Sequence, residues 1–176
     1  MEKKVNFVRE LSIIAARDIN GKIIFYDLVK NIHKSGILHK TIFPAKNISD
    51  SVTNQARDIA AKLLKKLDYI GVLAIEFFEL ANGELLVNEF APRPHNSGHF
   101  SLDSCLHDQF EQAIRAAVGM SVIEPVQIAS GEMVNLIGNE ILEVKNLINQ
   151  PNIKIHDYDK AEIVPGRKMG HYTKID

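Results

Sequence analysis

Apolar and polar positions follow one another in short runs over the first forty residues. Residues 5–17 are dense in Val, Ile and Phe and read as a strand. Asp18-Ile19-Asn20-Gly21 supplies a turn, and residues 22–29 return as a second strand. Residues 31–38 read as a loop leading to a short strand at Thr41-Ile42-Phe43, which Pro44 stops. Asp50 or Ser51 can cap a helix running to about Leu67. Within it Val52, Ala56, Ile59, Ala60, Leu63, Leu64 and Leu67 recur at helical spacing, and Lys62, Lys65 and Lys66 sit near its negative end. Gly71 opens a third strand through Leu80, and Ala81-Asn82-Gly83-Glu84 turns the chain back through Phe90. The prolines at 92 and 94 and the glycine at 98 forbid a regular element over residues 91–99. Residues 106–118 predict a helix with Phe110, Ile114 and Val118 on one side. Beyond Ser121 come short strands, a helix around residues 141–148 and a turn at Pro165-Gly166. The pattern is that of a β-rich α+β chain with a boundary near residue 120, dividing it into residues 1–120 and a smaller unit of residues 121–176.

Composition narrows the class. The chain has 176 residues, and 21 Lys+Arg stand against 22 Asp+Glu. That balance lacks the electrostatic footprint of a dedicated nucleic-acid binder but leaves room for small anionic ligands. The length suits one medium domain, or one with an appendage, that folds without a disulfide or metal staple. A lone cysteine, Cys105, excludes a disulfide framework and a Cys-rich zinc site and suits a reducing compartment. No apolar run approaches the roughly 20 residues of a membrane span, and Met1-Glu2-Lys3-Lys4 has no signal-peptide core. A cytoplasmic protein is expected.

The hairpin at residues 71–90 carries the most chemistry. Asn-Gly is a strong signal for a two-residue loop, since a type I′ turn needs positive φ at both central residues. With Asn82 and Gly83 as that loop, Glu76 directly faces Glu89 on one side of the hairpin, with Ala74, Phe78, Val87 and Ala91 as apolar neighbours. Two carboxylates so placed repel unless a cation lies between them, and hard oxygen pairs suit Mg²⁺. The other reading is a solvated clash. The following PRPHNSGH stretch, residues 92–99, places a guanidinium, two imidazoles, an amide and a hydroxyl in one loop, rich in donors for an anion. His95 and His99 have the spacing of a zinc helix, but Pro94 and Gly98 oppose a helix there. A purely structural polar loop is the competing reading. Arg167 and Lys168 lie in a glycine-flanked turn, where they offer a fork and a point charge to phosphate, or simply face solvent. Taken singly, His33, His39, His107 and His156 read as structural or exposed, and Cys105 as a packed thiol.

GVLAIEFFELANGELLVNEFAPRPHNSGH, then DQFEQAIRA, then AEIVPGRKMGH resemble, in that order, the N5-carboxyaminoimidazole ribonucleotide synthases, ATP-grasp ligases of purine biosynthesis. The resemblance runs along essentially the whole chain. Formate-dependent glycinamide ribonucleotide transformylases share a PRPH-like loop, but PRPHNSGH with GRKMGH favours the carboxylating synthases. The implied fold is the C-terminal lobe of an ATP-grasp domain, an antiparallel sheet with helices, followed by a small β-rich domain. The implied chemistry is phosphorylation of bicarbonate by ATP to carboxyphosphate and its capture by the exocyclic amine of 5-aminoimidazole ribonucleotide, with Mg²⁺ as cofactor. Carried over by position, Glu76 and Glu89 match metal ligands. Glu2 and Val5 match the adenine hinge, Glu10 a ribose-binding acid, and His33 and Asn88 other nucleotide contacts. Strand alternation turns Asn88 away from the Glu76–Glu89 face, so a contact there needs the backbone or a local bulge. Arg93 and His95 match positions near bicarbonate and the aminoimidazole, and Arg167 and Lys168 a phosphate grip. Family chains are about twice as long and begin with a substrate-binding domain and a glycine-rich, lysine-bearing lid. Little synthase activity is therefore expected of this chain alone. A separately encoded N-terminal half would complete it, a truncated remnant would at most bind nucleotide weakly, and the family implies a homodimer.

Overall fold

The computed structural model describes residues 4–176, so Glu2 lies outside the described residues. One antiparallel sheet organises the chain. Its strands are β1 (Arg9–Arg17), β2 (Ile23–Phe25), β3 (Val29–Lys34), β4 (Ile37–Phe43), β5 (Gly71–Glu79), β6 (Leu85–Ala91), β7 (Gly131–Ile137), β8 (Ile153–Asp157) and β9 (Lys168–Ile175). They are ordered β6-β5-β1-β3-β4-β7-β9-β8, with β2 paired to β1 beside that path. β7 pairs with β4, so the strands beyond residue 120 extend the same sheet.

β1 and β5 are buried on both faces, which is why their sequences run apolar without alternation. Leu11, Ile13, Leu73, Ile75 and Phe77 pack beneath helix α1 (Asp50–Lys66), against its Val52, Ala56, Ala60 and Leu64. On the opposite face Ile14, Ala16, Val72 and Ala74 join Phe43, Phe100 and Met133 in a second core. That face is covered by the 92–99 loop, the short α2 (Ser101–Ser104) and α3 (Gln109–Ala117).

The structure corrects several expectations. The first strand begins at Arg9, with residues 5–8 outside it. The helix cap is Ser49, whose side chain accepts the Val52 N–H, rather than Asp50 or Ser51. Residues 22–29 divide between β2 and the start of β3. Residues 31–38 are not a loop but most of the β3–β4 hairpin, turning at Ser35 and Gly36, both with positive φ. The helix predicted over 106–118 is shorter, and Phe110, Ile114 and Val118 point outward. Its buried residues are Gln109, Gln112 and Ala116, because both glutamines bond backbone groups of neighbouring loops. Cys105 is a packed thiol, held up to about 11 by burial.

The 71–90 hairpin reaches the expected Glu76–Glu89 pairing by another route. Gly83 N–H donates to the Leu80 carbonyl, and Leu80 N–H to the Glu84 carbonyl. Gly83 alone of the loop residues has positive φ, so the loop is a three-residue turn with its bulge at glycine. Near the turn Glu79 pairs with Leu85 and Phe77 with Val87. A bulge then leaves Asn88 unpaired and restores Glu76 opposite Glu89. Val87 thereby faces with Phe77, not with Glu76.

Candidate functional site

Register places a stripe of polar side chains across one face of the sheet. Glu89 pairs with Glu76, Glu76 with Ser12, Asn31 with both Glu10 and Thr41, Asn135 with His171, and His171 with His156. Directly paired residues point the same way, and Thr41 pairs with Met133, two residues from Asn135 on β7, so the stripe runs from β6 to β8. Its centre is buried and satisfied: Asn31 Nδ2 donates to Ser12 Oγ (3.1 Å), and Thr41 Oγ1 donates to Asn31 Oδ1 (3.0 Å). Polar groups buried on a sheet face are tolerated when bonded in this way.

The 92–99 loop lies over the stripe, and its sequence explains how it is held. His95 caps a single 3-10 turn (Asn96–Gly98), with its Nδ1 2.9 Å from Ser97 Oγ and 3.8 Å from Glu76 Oε1. Asn96 and Asn135 exchange two side-chain hydrogen bonds of 2.9 and 2.6 Å, tying the loop to β7, and Asn135 Nδ2 also donates to the Leu38 carbonyl. His99 packs against Phe110 and His171, and His171 stacks on His156 with ring centroids 4.5 Å apart.

Glu76, Glu89 and His95 bring one ligand atom each within 4.8 Å of one another. Glu76 is buried and Glu89 exposed. Burial pushes the Glu76 carboxyl up; His33 and Lys168 oppose that shift, while Glu89 and Glu10 add to it. A cation between the two carboxylates would relieve both costs, and a pair of hard oxygens fits Mg²⁺, which completes its shell with phosphate and water. Lys168, half-buried at the start of β9, is held below the usual lysine range by burial. Arg93 and Lys160 push it the same way, and Glu76 and Glu89 oppose them. Lys168 and Arg93 therefore set positive charge beside the carboxylates. His95 falls to about 4 through burial and the nearby Arg93 and Lys168, so its ring is neutral at pH 7.

Toward the other end of β5 a groove of about 540 Å³ is lined by Lys4, Val5, Phe7, Phe78, Leu86, Val87 and Asn88. Phe7 stacks on Phe78 at 4.5 Å. Glu10 pairs with Phe78 and is hydrogen-bonded by His33 Nδ1. The unpaired position of Asn88 is what lets it line this groove. The structure thus gathers Glu76, Glu89, Arg93, His95 and Lys168 at one locus, and Val5, Glu10, His33 and Asn88 at an adjoining one. Arg167 is exposed, and its side chain makes no hydrogen bond or ion pair among the described residues. The sequence reading missed Lys160, Asn135, Gln109 and the stripe itself; DQFEQAIRA alone pointed toward Gln109.

Burial also lowers His99 to about 4 and His171 to about 3. With His95, three rings stay neutral in the folded state while unfolded histidines take up protons below pH of about 6.5. The unfolded state then binds more protons, so stability falls as pH falls from 7 toward 4. Glu76, raised, works in the opposite sense, one group against three. The urea midpoint of the metal-free chain is expected to be lower at pH 5 than at pH 7, and an equal or higher midpoint at pH 5 would contradict these assignments.

A family profile described as the ATP-grasp domain matches residues 1–110, and one described as the phosphoribosylaminoimidazole carboxylase C-terminal domain matches residues 132–176. The N5-carboxyaminoimidazole ribonucleotide synthase of Brucella melitensis is 47% identical over 175 residues, 99% of this chain and 48% of the relative. A solved ADP complex of an N5-carboxyaminoimidazole ribonucleotide synthetase superposes with a TM-score of 0.95 at 38% identity, covering 99% of this chain and 46% of the other. The Aspergillus clavatus enzyme, solved with ADP and 5-aminoimidazole ribonucleotide, superposes with a TM-score of 0.91 at 29% identity over 97% of this chain and 47% of the other. The chain spans about half the length of the curated relatives it matches. Among the described residues no helix is long and apolar enough to cross a membrane.

Proposed function

The chain belongs to the ATP-grasp family, and from that premise we propose that it forms the metal- and nucleotide-holding half of a ligase that carboxylates 5-aminoimidazole ribonucleotide with ATP and bicarbonate, giving N5-carboxyaminoimidazole ribonucleotide. The observation that carries the reading is the convergence of Glu76 and Glu89 with the 92–99 loop and Lys168, next to an aromatic-walled groove. Relatives of this fold were solved with ADP and with the aminoimidazole nucleotide.

In this reading Val5, Phe7 and Phe78 take the adenine, with Asn88 at the rim and Glu2 as the resemblance assigns it. Glu10, oriented by His33, accepts from the ribose hydroxyls. Glu76 and Glu89 would hold Mg²⁺, which would supply charge neutralisation to phosphate oxygens. Arg93 and Lys168 draw bicarbonate and phosphate oxygens to the loop without covalent chemistry of their own. His95, neutral and fixed by Ser97, supplies a polar contact beside the reacting amine and not a second positive charge. Arg167 and Lys168 grip the 5′-phosphate of the nucleotide substrate, Arg167 from the solvent side. The remaining lobe, which closes over the phosphates and excludes water, corresponds to the N-terminal half of the relatives, in the same polypeptide or another. The resemblance to the synthases is what implies a homodimer for the assembled enzyme.

The test mixes this chain with the N-terminal half of the Brucella melitensis relative and follows ADP release. Release that requires both 5-aminoimidazole ribonucleotide and bicarbonate is the expected result. Release that instead requires formate and glycinamide ribonucleotide would transfer the site to the other ligase class. Calorimetry on the chain alone is the companion measurement: Mg²⁺-ADP is expected to bind, and chelation of the metal to weaken it.

A further inference from the structure

Gln109 opens α3 and is completely buried. Its carboxamide meets three groups of the 92–99 loop. Oε1 accepts the His95 backbone N–H at 2.9 Å, Nε2 donates to the His95 carbonyl at 2.8 Å, and Nε2 also lies 2.8 Å from His99 Nδ1. The two backbone contacts fix which end of the amide is which. A peptide N–H only donates and a peptide carbonyl only accepts, so oxygen must face the first and nitrogen the second. Nε2 has two hydrogens and no lone pair to offer. One hydrogen goes to the carbonyl, and the other meets His99 Nδ1, which must therefore be the bare, accepting nitrogen. A neutral imidazole has one protonated nitrogen, so the His99 proton resides on Nε2.

The surroundings hold the carboxamide in place. The Gln109 N–H donates to Ser101 Oγ at 3.0 Å, and that hydroxyl donates to the Gly98 carbonyl at 2.7 Å. A Cβ on Gly98 would stand 2.4 Å from Gln109 Oε1, so only glycine lets the loop close on the amide. Burial keeps the His99 ring neutral at pH 7. No hydrogen bond of His99 Nε2 is found among the described residues, and the ring lies among His171, Tyr158 and Phe110.

We propose that Gln109 is a positioning residue: it transmits the peptide geometry at residue 95 to His99 and locks that ring as its Nε2–H tautomer, so that His99 offers a donor rather than a lone pair to an anionic oxygen of a bound ligand. The part played by the ligand rests on the function proposed above; the tautomer does not. His95 and Lys168 both act electrostatically on His99, which places the ring beside the ligand locus; a donor there acts in the same sense as Lys168, whereas the other tautomer would offer a lone pair that repels phosphate or carboxylate oxygens.

The experiment is long-range proton–nitrogen correlation NMR on the histidine-labelled chain at pH 7 without nucleotide, the His99 signal being assigned by its absence in His99→Gln. The wild-type chain is expected to show His99 with the proton on Nε2. Gln109→Glu keeps the shape and the acceptor for the His95 N–H but, as a carboxylate, has no donor, so with that group ionised His99 is expected to shift to the Nδ1–H or doubly protonated pattern. An Nδ1–H pattern in the wild type, or an unchanged Nε2–H pattern in Gln109→Met, which has no donor in any protonation state, overturns the proposal. Should Gln109→Glu not fold, Gln109→Met, which also lacks the donor, is expected to lose the pure Nε2–H pattern. Binding of Mg²⁺-ADP is read separately by calorimetry, so failure of the functional reading would leave the His99 spectrum as predicted.

Discussion

Glu76→Gln, in the chain completed by an N-terminal half, is expected to lower kcat on the order of 10²–10³-fold, the loss typical when one preorganised electrostatic group of a site is removed. The same substitution should leave the metal-free chain at least as stable as the wild type. Both effects come from one fact: Glu76 is buried opposite Glu89, and burial already disfavours its ionised form. Replacing a buried charge with a neutral group of the same shape removes that cost. The charge is therefore unfavourable to the fold and useful only when a cation occupies the site. Glu89→Gln should reduce turnover in the same direction with a smaller effect on stability, because Glu89 is exposed and its charge is hydrated. Steady-state ADP release and a urea titration on each variant check both halves of the expectation. A Glu76→Gln chain that is less stable yet fully active would show that the carboxylate serves packing and not metal binding.

The opposition of Glu76 and Glu89 was legible in the sequence, although the route to it was not. Asn-Gly announces a hairpin because glycine accepts positive φ, and both the two-residue turn and the three-residue turn with a glycine bulge put glycine there. Spacing alone does not separate them. The longer turn shifts the register by one, and the unpaired Asn88 shifts it back, so the carboxylates meet in either case. The β3–β4 hairpin went unread because Ser35 takes positive φ, which its side chain does not advertise. The polar stripe could not be read, since its members come from strands far apart in the chain and only register brings them to one face. Helical periodicity pointed to Phe110, Ile114 and Val118 as a side of α3. It could not reveal that two glutamines would be buried instead, because their value lies in the backbone groups they bond.

The largest loss of stability is expected from Phe100→Ala, about 3–5 kcal/mol, the usual cost of truncating a fully buried phenylalanine. Phe100 is completely buried, stacks on Phe43 with centroids 5.1 Å apart and meets the edge of Tyr26 at 6.4 Å. It shares a core with Ile14 of β1, Phe43 of β4, Val72 of β5 and Met133 of β7, so the cavity is walled largely by strands and has little freedom to collapse. Its carbonyl also accepts from the Ser104 hydroxyl at 2.9 Å, which anchors α2. Because Phe100 follows His99 directly, the same substitution should loosen the 92–99 loop and weaken substrate-dependent turnover, while binding of the ADP nucleoside in the adjoining groove changes less. Ile114→Ala is the contrast: Ile114 is 65% exposed, so its change should stay within about 0.5 kcal/mol. Urea unfolding of both variants decides the matter. A Phe100→Ala loss below that of Ile114→Ala would mean that the face beneath the loop is not the packed core described here, and that the loop takes its position from its hydrogen bonds to Asn135 and Gln109 alone.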